Sequence, residues 1–157
     1  MAAANLTVNL ENANIQFQQA SAQTRLVVLY YLAKQLHQAS KAATPSALFS
    51  QKVQAVIKHV QQLPKEERHE ALQEILAGAP TRLTEAYEAL DTNMRMAFWY
   101  RVANSRRGDV LLSKSLYQEP SSGQRALLAD LASRDSNELV SFLHEAVADK
   151  AVAYRCR

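Results

Sequence analysis

The amino-acid sequence predicts an all-α protein of about eight helices. Glycine and proline are rare, three and four residues among 157, and they border segments rather than interrupt them. Pro45, Pro64 and Pro80 precede apolar patterns of helical period, and Gly78 and Gly108 follow such patterns. The segments between them are rich in Ala, Leu, Gln, Glu, Lys and Arg, which favour helices, and none keeps the period of two that strands require.

Four side chains with N-cap chemistry divide the chain further. Ser21, Thr44 and either Asp91 or Thr92 each precede an apolar pattern, where a side-chain oxygen can accept hydrogen bonds from the first free backbone N–H groups. Asp135 is followed three residues later by Glu138, which is a capping-box pattern. Together these signals predict helices over residues 10–20, 21–39, 44–60, 65–77, 80–90, 91–107, 121–132 and 135–152.

Two of the predicted helices are apolar on every face. The second contains an unbroken run of Leu, Val, Tyr and Ala over residues 26–33, and the sixth is nearly as apolar over residues 94–103. A helix that is apolar all round is buried all round, so we expect both to lie where two helical sub-bundles meet. The expected organisation is one domain, 1–157, with 1–9 flexible and the junction within 21–40 and 92–107.

The composition excludes several classes of protein. A single cysteine, Cys156, rules out an intramolecular disulfide framework, and the four histidines show no helical pairing of the kind a metal site needs. The longest apolar run is far shorter than the ~20 residues of a membrane span. Motifs of nucleotide-dependent, ester-cleaving and zinc-dependent enzymes are absent. We therefore expect a soluble, cytoplasmic protein that has no metal and is not an enzyme.

A basic stretch in the sixth helix suggests a further possibility. Arg95, Arg101, Arg106 and Arg107 surround Phe98-Trp99-Tyr100, and basic residues interleaved with aromatics are typical of single-strand nucleic-acid binders. The net charge of only +3 argues against such a partner. We expect instead that the arginines project from the ends and outer edge of a buried helix, with the aromatics pointing inward, and that no nucleic acid binds.

The aromatic residues of the two apolar helices also carry a resemblance to a known family. Tyr30-Tyr31 and Phe98-Trp99-Tyr100 lie mid-helix, where core packing is the ordinary explanation and a slot for a flat, ring-bearing ligand is the alternative. The run from Tyr87 to Ala103, which contains Asn93-Met94-Arg95-Met96-Ala97-Phe98-Trp99-Tyr100-Arg101-Val102, resembles the N-terminal carotenoid-binding domain of cyanobacterial orange carotenoid protein. That domain also occurs alone, as the helical carotenoid proteins. Weaker similarity covers 15–33, 60–68 and 121–147.

The resemblance implies two interleaved four-helix bundles with a carotenoid between them. Trp99 and Tyr100 match the aromatics that flank one ring of the carotenoid. Tyr30 stands where the family usually has Trp, and Ala33 stands where it has a Tyr that stacks on the ring. The implied carotenoid-binding residues are Leu26, Leu29, Tyr30, Ala33, Met96, Trp99 and Tyr100.

Two further positions depart from the family pattern. Asn104-Ser105-Arg106 replaces a Met expected shortly after the Phe-Trp-Tyr run. His144 stands where photoactive members have an Arg that pairs with their C-terminal domain, and we expect no such domain here.

Two functional hypotheses follow from the resemblance. The first is a stand-alone, non-enzymatic carotenoid protein that quenches singlet oxygen or excess excitation beside phycobilisome or photosystem proteins, at the cytoplasmic face of the thylakoid. The second keeps the fold without the pigment, as a binding or assembly module that docks through a basic surface with Arg101, Arg106 and Arg107. The departures at Ala33 and Arg106 favour the second, and the intact Phe-Trp-Tyr run favours the first.

Overall fold

The computed structural model of the chain describes residues 2–36, 42–104 and 122–148. Within these ranges the regular structure is helical throughout, which confirms the all-α prediction. The helices are α1 (Ala2–Gln19), α2 (Ala22–Gln35), α3 (Pro45–Leu48), α4 (Gln51–Gln62), α5 (Lys65–Ala77), α6 (Arg82–Glu88), α7 (Thr92–Ala103), α8 (Ser122–Ala132) and α9 (Ser136–Val147). None of these helices is long and apolar enough to cross a membrane.

Helices α2 and α7, the second and sixth helices of the prediction, occupy the centre of the fold. They pack against each other; α2 also contacts α1, α5, α8 and α9, and α7 also contacts α3, α4 and α9. One set of outer helices contains α1 and α9, which pack together, and the other contains α4, α5 and α6, which contact one another. Residues 26–33 are buried except for the half-buried Tyr31, as expected for a helix that is apolar on every face. The expectation of one domain over 1–157, with 1–9 flexible, stays a prediction.

The capping signals in the sequence are found at the helix ends. Ser21, Thr44, Asp91 and Asp135 are the N-caps of α2, α3, α7 and α9, and each side-chain oxygen accepts a hydrogen bond from the backbone N–H three residues later. Gly78 ends α5 with φ +72°, in the left-handed region that glycine enters without the Cβ penalty.

The predicted third helix is wrong in one respect, because the structure divides it into α3 and α4. Phe49 ends α3, and the hydroxyl of Ser50 accepts a hydrogen bond from the N–H of Lys52 to start α4. Because a serine oxygen can satisfy a free N–H at a helix start, it supports a new start within an otherwise continuous apolar stripe.

Several predicted boundaries also differ from the structure. The fifth predicted helix begins later, at Arg82, because the Thr81 hydroxyl rather than Pro80 supplies the cap. The last helix ends at Val147 instead of residue 152, because Ala148 turns into extended backbone. The first helix begins at Ala2 and the second ends at Gln35. The predicted helical residues 37–39 and 105–107 lie outside the described ranges.

Candidate functional site

The seven carotenoid-binding residues predicted from the resemblance lie on the two central helices. Four of them are on α2 and three are on α7, and these two helices pack directly on each other. Tyr100 is half-buried. The other six are each at most 2% exposed: Leu26, Leu29, Tyr30, Ala33, Met96 and Trp99.

The indole of Trp99 is held on the side of α7 that faces α6. Its Nε1–H donates a 2.8 Å hydrogen bond to the hydroxyl oxygen of Tyr87, and its ring meets those of Tyr87 and Phe98 edge-on at centroid distances of 6.0 and 5.1 Å. Burial raises the pKa of Tyr87 to about 12, although the Trp99 hydrogen bond acts in the opposite direction. The Tyr87 hydroxyl is therefore neutral at physiological pH, and it satisfies the polar atom of a buried tryptophan.

Tyr30 belongs to a different ring contact from Trp99. Its ring meets that of Tyr31 edge-on at 5.5 Å, and the Lys34 ammonium lies 5.5 Å from its centroid. Tyr100 follows Trp99 directly, and consecutive residues of a helix point about 100° apart. Trp99 and Tyr100 therefore leave α7 in different directions, and the ring contact of Tyr30 with Tyr31 lies on α2.

Two of the positions that depart from the family pattern, Ala33 and Asn104, are in direct contact. The side-chain amide of Asn104 donates to the backbone oxygen of Ala33 at 3.2 Å and to that of Tyr100 at 3.0 Å. These carbonyls lie in the last turns of α2 and α7, and each also accepts a backbone N–H, that of Leu36 or that of Asn104 itself. Asn104 thus ties the C-terminal ends of the central helices together at the position of the missing Tyr.

The predicted outward position of Arg95 is wrong. Arg95 is only 4% exposed, and its guanidinium donates hydrogen bonds to the backbone oxygens of Val147 at 3.0 Å and Glu88 at 2.9 Å. A buried arginine is tolerated because these oxygens, near the C-terminal ends of α9 and α6, carry partial negative charge. Arg95 is thus engaged inside the fold and unavailable to a phosphate. Arg101 is half-buried, and Arg106 and Arg107 lie outside the described residues.

A separate cavity of about 180 Å³ lies among α4, α5 and α6. Its walls combine an apolar floor of Leu63, Ala71 and Leu83 with the polar side chains of His59, Glu74 and Arg82. None of the seven predicted carotenoid-binding residues lines it. Within the described ranges, no three His, Cys, Asp or Glu side chains gather closely enough to hold a metal ion.

The chemistry of the predicted residues suits a carotenoid. Their burial means that side chains would have to shift before a carotenoid could contact them. Apolar and aromatic side chains are the lining that a polyene with end rings needs. A side chain at most 2% exposed borders neither solvent nor an internal space that admits water. A carotenoid could therefore contact Trp99 or Leu29 only after neighbouring side chains, or α2 and α7 themselves, had shifted.

Comparison with known sequences assigns the chain to a family. The sequence model for the N-terminal part of orange carotenoid protein matches residues 4–152, nearly the whole chain. The chain belongs to the orange carotenoid protein N-terminal family. This confirms the resemblance carried by the Asn…Phe-Trp-Tyr run, and the match extends well beyond that run.

Relatives in this family share about a quarter of the sequence. The orange carotenoid-binding protein of Synechocystis sp. is 24% identical over 135 residues, and the match covers 85% of this chain but only 42% of that protein. An orange carotenoid-binding domain-containing protein of Nostoc sp. is 25% identical over 137 residues, covering 87% of this chain and 80% of its own.

A solved structure of the family confirms the fold. The orange carotenoid protein of Anabaena (Nostoc) sp., binding canthaxanthin, superposes with a TM-score of 0.72 at 18% identity, over 90% of this chain and 46% of that one. At this identity the likeness establishes the fold alone.

Sequence reasoning gave no site role to two residues near Trp99: Tyr87 contacts Trp99, and Arg95 contacts Tyr87. Arg95 stands four residues before Trp99, so the two share one face of α7, and this spacing was a usable signal. Tyr87 lies on α6, beyond a helix boundary, and no periodicity relates it to Trp99. Only the packing of α6 on the α7 side chains reveals that contact.

Proposed function

We propose that the chain is a non-enzymatic carotenoid-binding protein that holds its pigment between α2 and α7 and protects light-harvesting proteins from singlet oxygen or excess excitation. The observation that supports the proposal is the direct packing of α2 on α7, the two helices that carry the predicted apolar and aromatic residues. Membership of the family supports the choice of pigment.

In this proposal the protein and the pigment have separate tasks. When bound, the polyene supplies the quenching chemistry. Leu26, Leu29 and Met96 supply an apolar surface and exclude water, and Tyr30, Trp99 and Tyr100 offer ring faces to the end groups. Partners would be phycobilisome or photosystem proteins, met in the cytoplasm at the surface of the thylakoid.

A second candidate function is supported by the packing itself. The six buried residues are each at most 2% exposed, and Asn104 binds the end of the helix pair where Ala33 stands in place of the ring-stacking Tyr. A chain that has lost its pigment would be stabilised by such packing, and it would act as a binding or assembly module. Its docking surface would include Arg101, Arg106 and Arg107.

Absorption of the purified protein tests the first function. We expect the protein from a carotenoid-producing host to carry a structured visible absorption band that co-elutes with it. In Trp99→Leu we expect that band to be lost or shifted while far-UV circular dichroism is retained, because a ring contact is removed. Phe49→Leu is the matched control, since Phe49 is 85% exposed and lies outside the interface.

Each outcome of this experiment decides between hypotheses. A visible band identical in Trp99→Leu and the parent protein would remove Trp99 from the site. A colourless, helical parent protein would reject the pigment function. In that case the assembly function predicts that Arg101→Glu weakens capture of phycobilisome or photosystem proteins at low salt, where surface charges are least screened.

A further inference from the structure

The single tryptophan of the chain is fixed by one polar contact. Trp99 is buried, and its Nε1–H has the Tyr87 hydroxyl oxygen at 2.8 Å as its acceptor. A buried N–H without an acceptor is costly, so any rotation of the indole away from α6 must first give up this bond. The orientation of the indole therefore depends on where Tyr87 is held.

Tyr87 is in turn held by two side chains of α7. The Arg95 guanidinium lies 5.1 Å from the centroid of its ring, within cation–π range, and the Phe98 ring meets it edge-on at 5.6 Å. Arg95 and Trp99 are four residues apart on α7, so both reach Tyr87 from one face of the helix.

Arg95 has little freedom to move. Its two terminal nitrogens donate to the backbone oxygens of Val147 and Glu88, which belong to α9 and α6. A shift of the guanidinium would leave both carbonyls without this donor. The contacts thus form a continuous chain from the ends of α6 and α9, through Arg95 and Tyr87, to the Trp99 indole.

We propose that Tyr87 is the positioning residue that sets the orientation of Trp99, with Arg95 holding Tyr87, and that a carotenoid enters by breaking the Trp99–Tyr87 hydrogen bond. The pigment half of this inference rests on the proposed function. The positioning half concerns the apoprotein alone.

Fluorescence of the apoprotein tests the positioning half, because Trp99 is the sole tryptophan. In Tyr87→Phe we expect the population of the released indole to rise about fivefold to tenfold, as for the loss of one ordinary hydrogen bond. Quenching by acrylamide should rise with it and emission anisotropy should fall, with far-UV circular dichroism retained. Tyr31→Phe is the matched control, since Tyr31 is half-buried and its ring meets that of Tyr30 on α2.

A second variant guards against a general loosening of the fold. Arg95→Lys keeps the positive charge but cannot bridge two carbonyls as the planar guanidinium does. We expect Trp99 quenching in Arg95→Lys to lie between the parent and Tyr87→Phe values. If acrylamide quenching of Trp99 is unchanged in Tyr87→Phe, the positioning role is overturned, independently of the result for pigment uptake.

Pigment uptake tests the second half. Apoprotein is mixed with phosphatidylcholine vesicles containing canthaxanthin, and the visible absorption of the re-isolated protein is followed in time. We expect Tyr87→Phe to take up pigment about fivefold to tenfold faster than the parent, in proportion to the released indole. A released indole with an unchanged uptake rate would overturn the entry step. If neither protein acquires colour while quenching rises in the variant, the proposed function fails and the positioning role stands.

Discussion

Two polar side chains that are at least half-buried, Arg95 and Asn104, donate hydrogen bonds to backbone carbonyls near helix ends. Arg95 does so for α6 and α9, and Asn104 does so for α2 and α7. The sequence assigned Arg95 to the outside because arginine is rarely buried. It is buried here because two backbone oxygens and an aromatic ring, supplied by α6 and α9, surround its charge.

His69 gives a pH dependence at the same scale. Its Nε2 lies 2.7 Å from the side-chain oxygen of Gln23, which also accepts from Gln73, so α5 is tied to α2. Its Nδ1 is buried and has no hydrogen-bond partner among the described residues. Burial lowers the pKa of His69 from its usual 6.5, because the charged ring loses hydration.

We expect the protein to lose stability as the pH falls below the unfolded-state pKa of His69. In that range the unfolded chain binds the proton more readily than the folded chain does. The free energy of unfolding therefore decreases as the pH is lowered. Urea denaturation between about pH 7.5 and pH 5 measures the slope. His69→Gln should flatten the profile, with His59→Gln on α4 as the matched control. An equal slope in His69→Gln would show that another group is responsible.

At the scale of elements, local capping explains most of the helix starts. Side-chain oxygens at Ser21, Thr44, Asp91 and Asp135 act on N–H groups only three residues away. Such contacts depend on the neighbouring sequence alone, and for this reason the sequence predicted them. Helix ends were less predictable: α9 ends at Val147, whose carbonyl is bound by Arg95 from α7.

The cap of the central helix α7 can be tested directly. Asp91 Oδ1 accepts a 2.8 Å hydrogen bond from the N–H of Met94, and its charge lies at the positive end of the helix. We expect Asp91→Ala to lower the free energy of unfolding by about 1 kcal/mol. Asp91→Asn is the control, because asparagine caps helices as well as aspartate does and should cost less. Equal losses in both variants would assign the effect to the charge instead of the cap.

At the scale of the whole molecule, the two sets of outer helices share one core. The buried apolar residues form a single cluster that extends from Ala13 in α1 to Val147 in α9. Arg95 adds a polar connection, because it binds α6 of one set and α9 of the other. Separating the two sets of outer helices would disrupt both the shared apolar core and the hydrogen bonds of Arg95.

We therefore expect one cooperative unfolding transition. Trp99 fluorescence reports on the contact between α7 and α6, whereas far-UV circular dichroism reports on all helices. In urea the two midpoints should coincide. Separate midpoints would mean that the terminal helices unfold independently of α2 and α7.

The sequence by itself determined the helical class, the starts of α2, α3, α7 and α9, and the choice of α2 and α7 as central, because capping and all-round apolarity depend on neighbouring residues. Its Phe-Trp-Tyr run also led to the family that the comparison confirmed. Only the tertiary structure decided where Trp99 points, that Tyr87 and Arg95 hold it, and that Ala33 meets Asn104. These contacts join residues on different helices, and their partners are set by the packing of those helices, which no local pattern encodes.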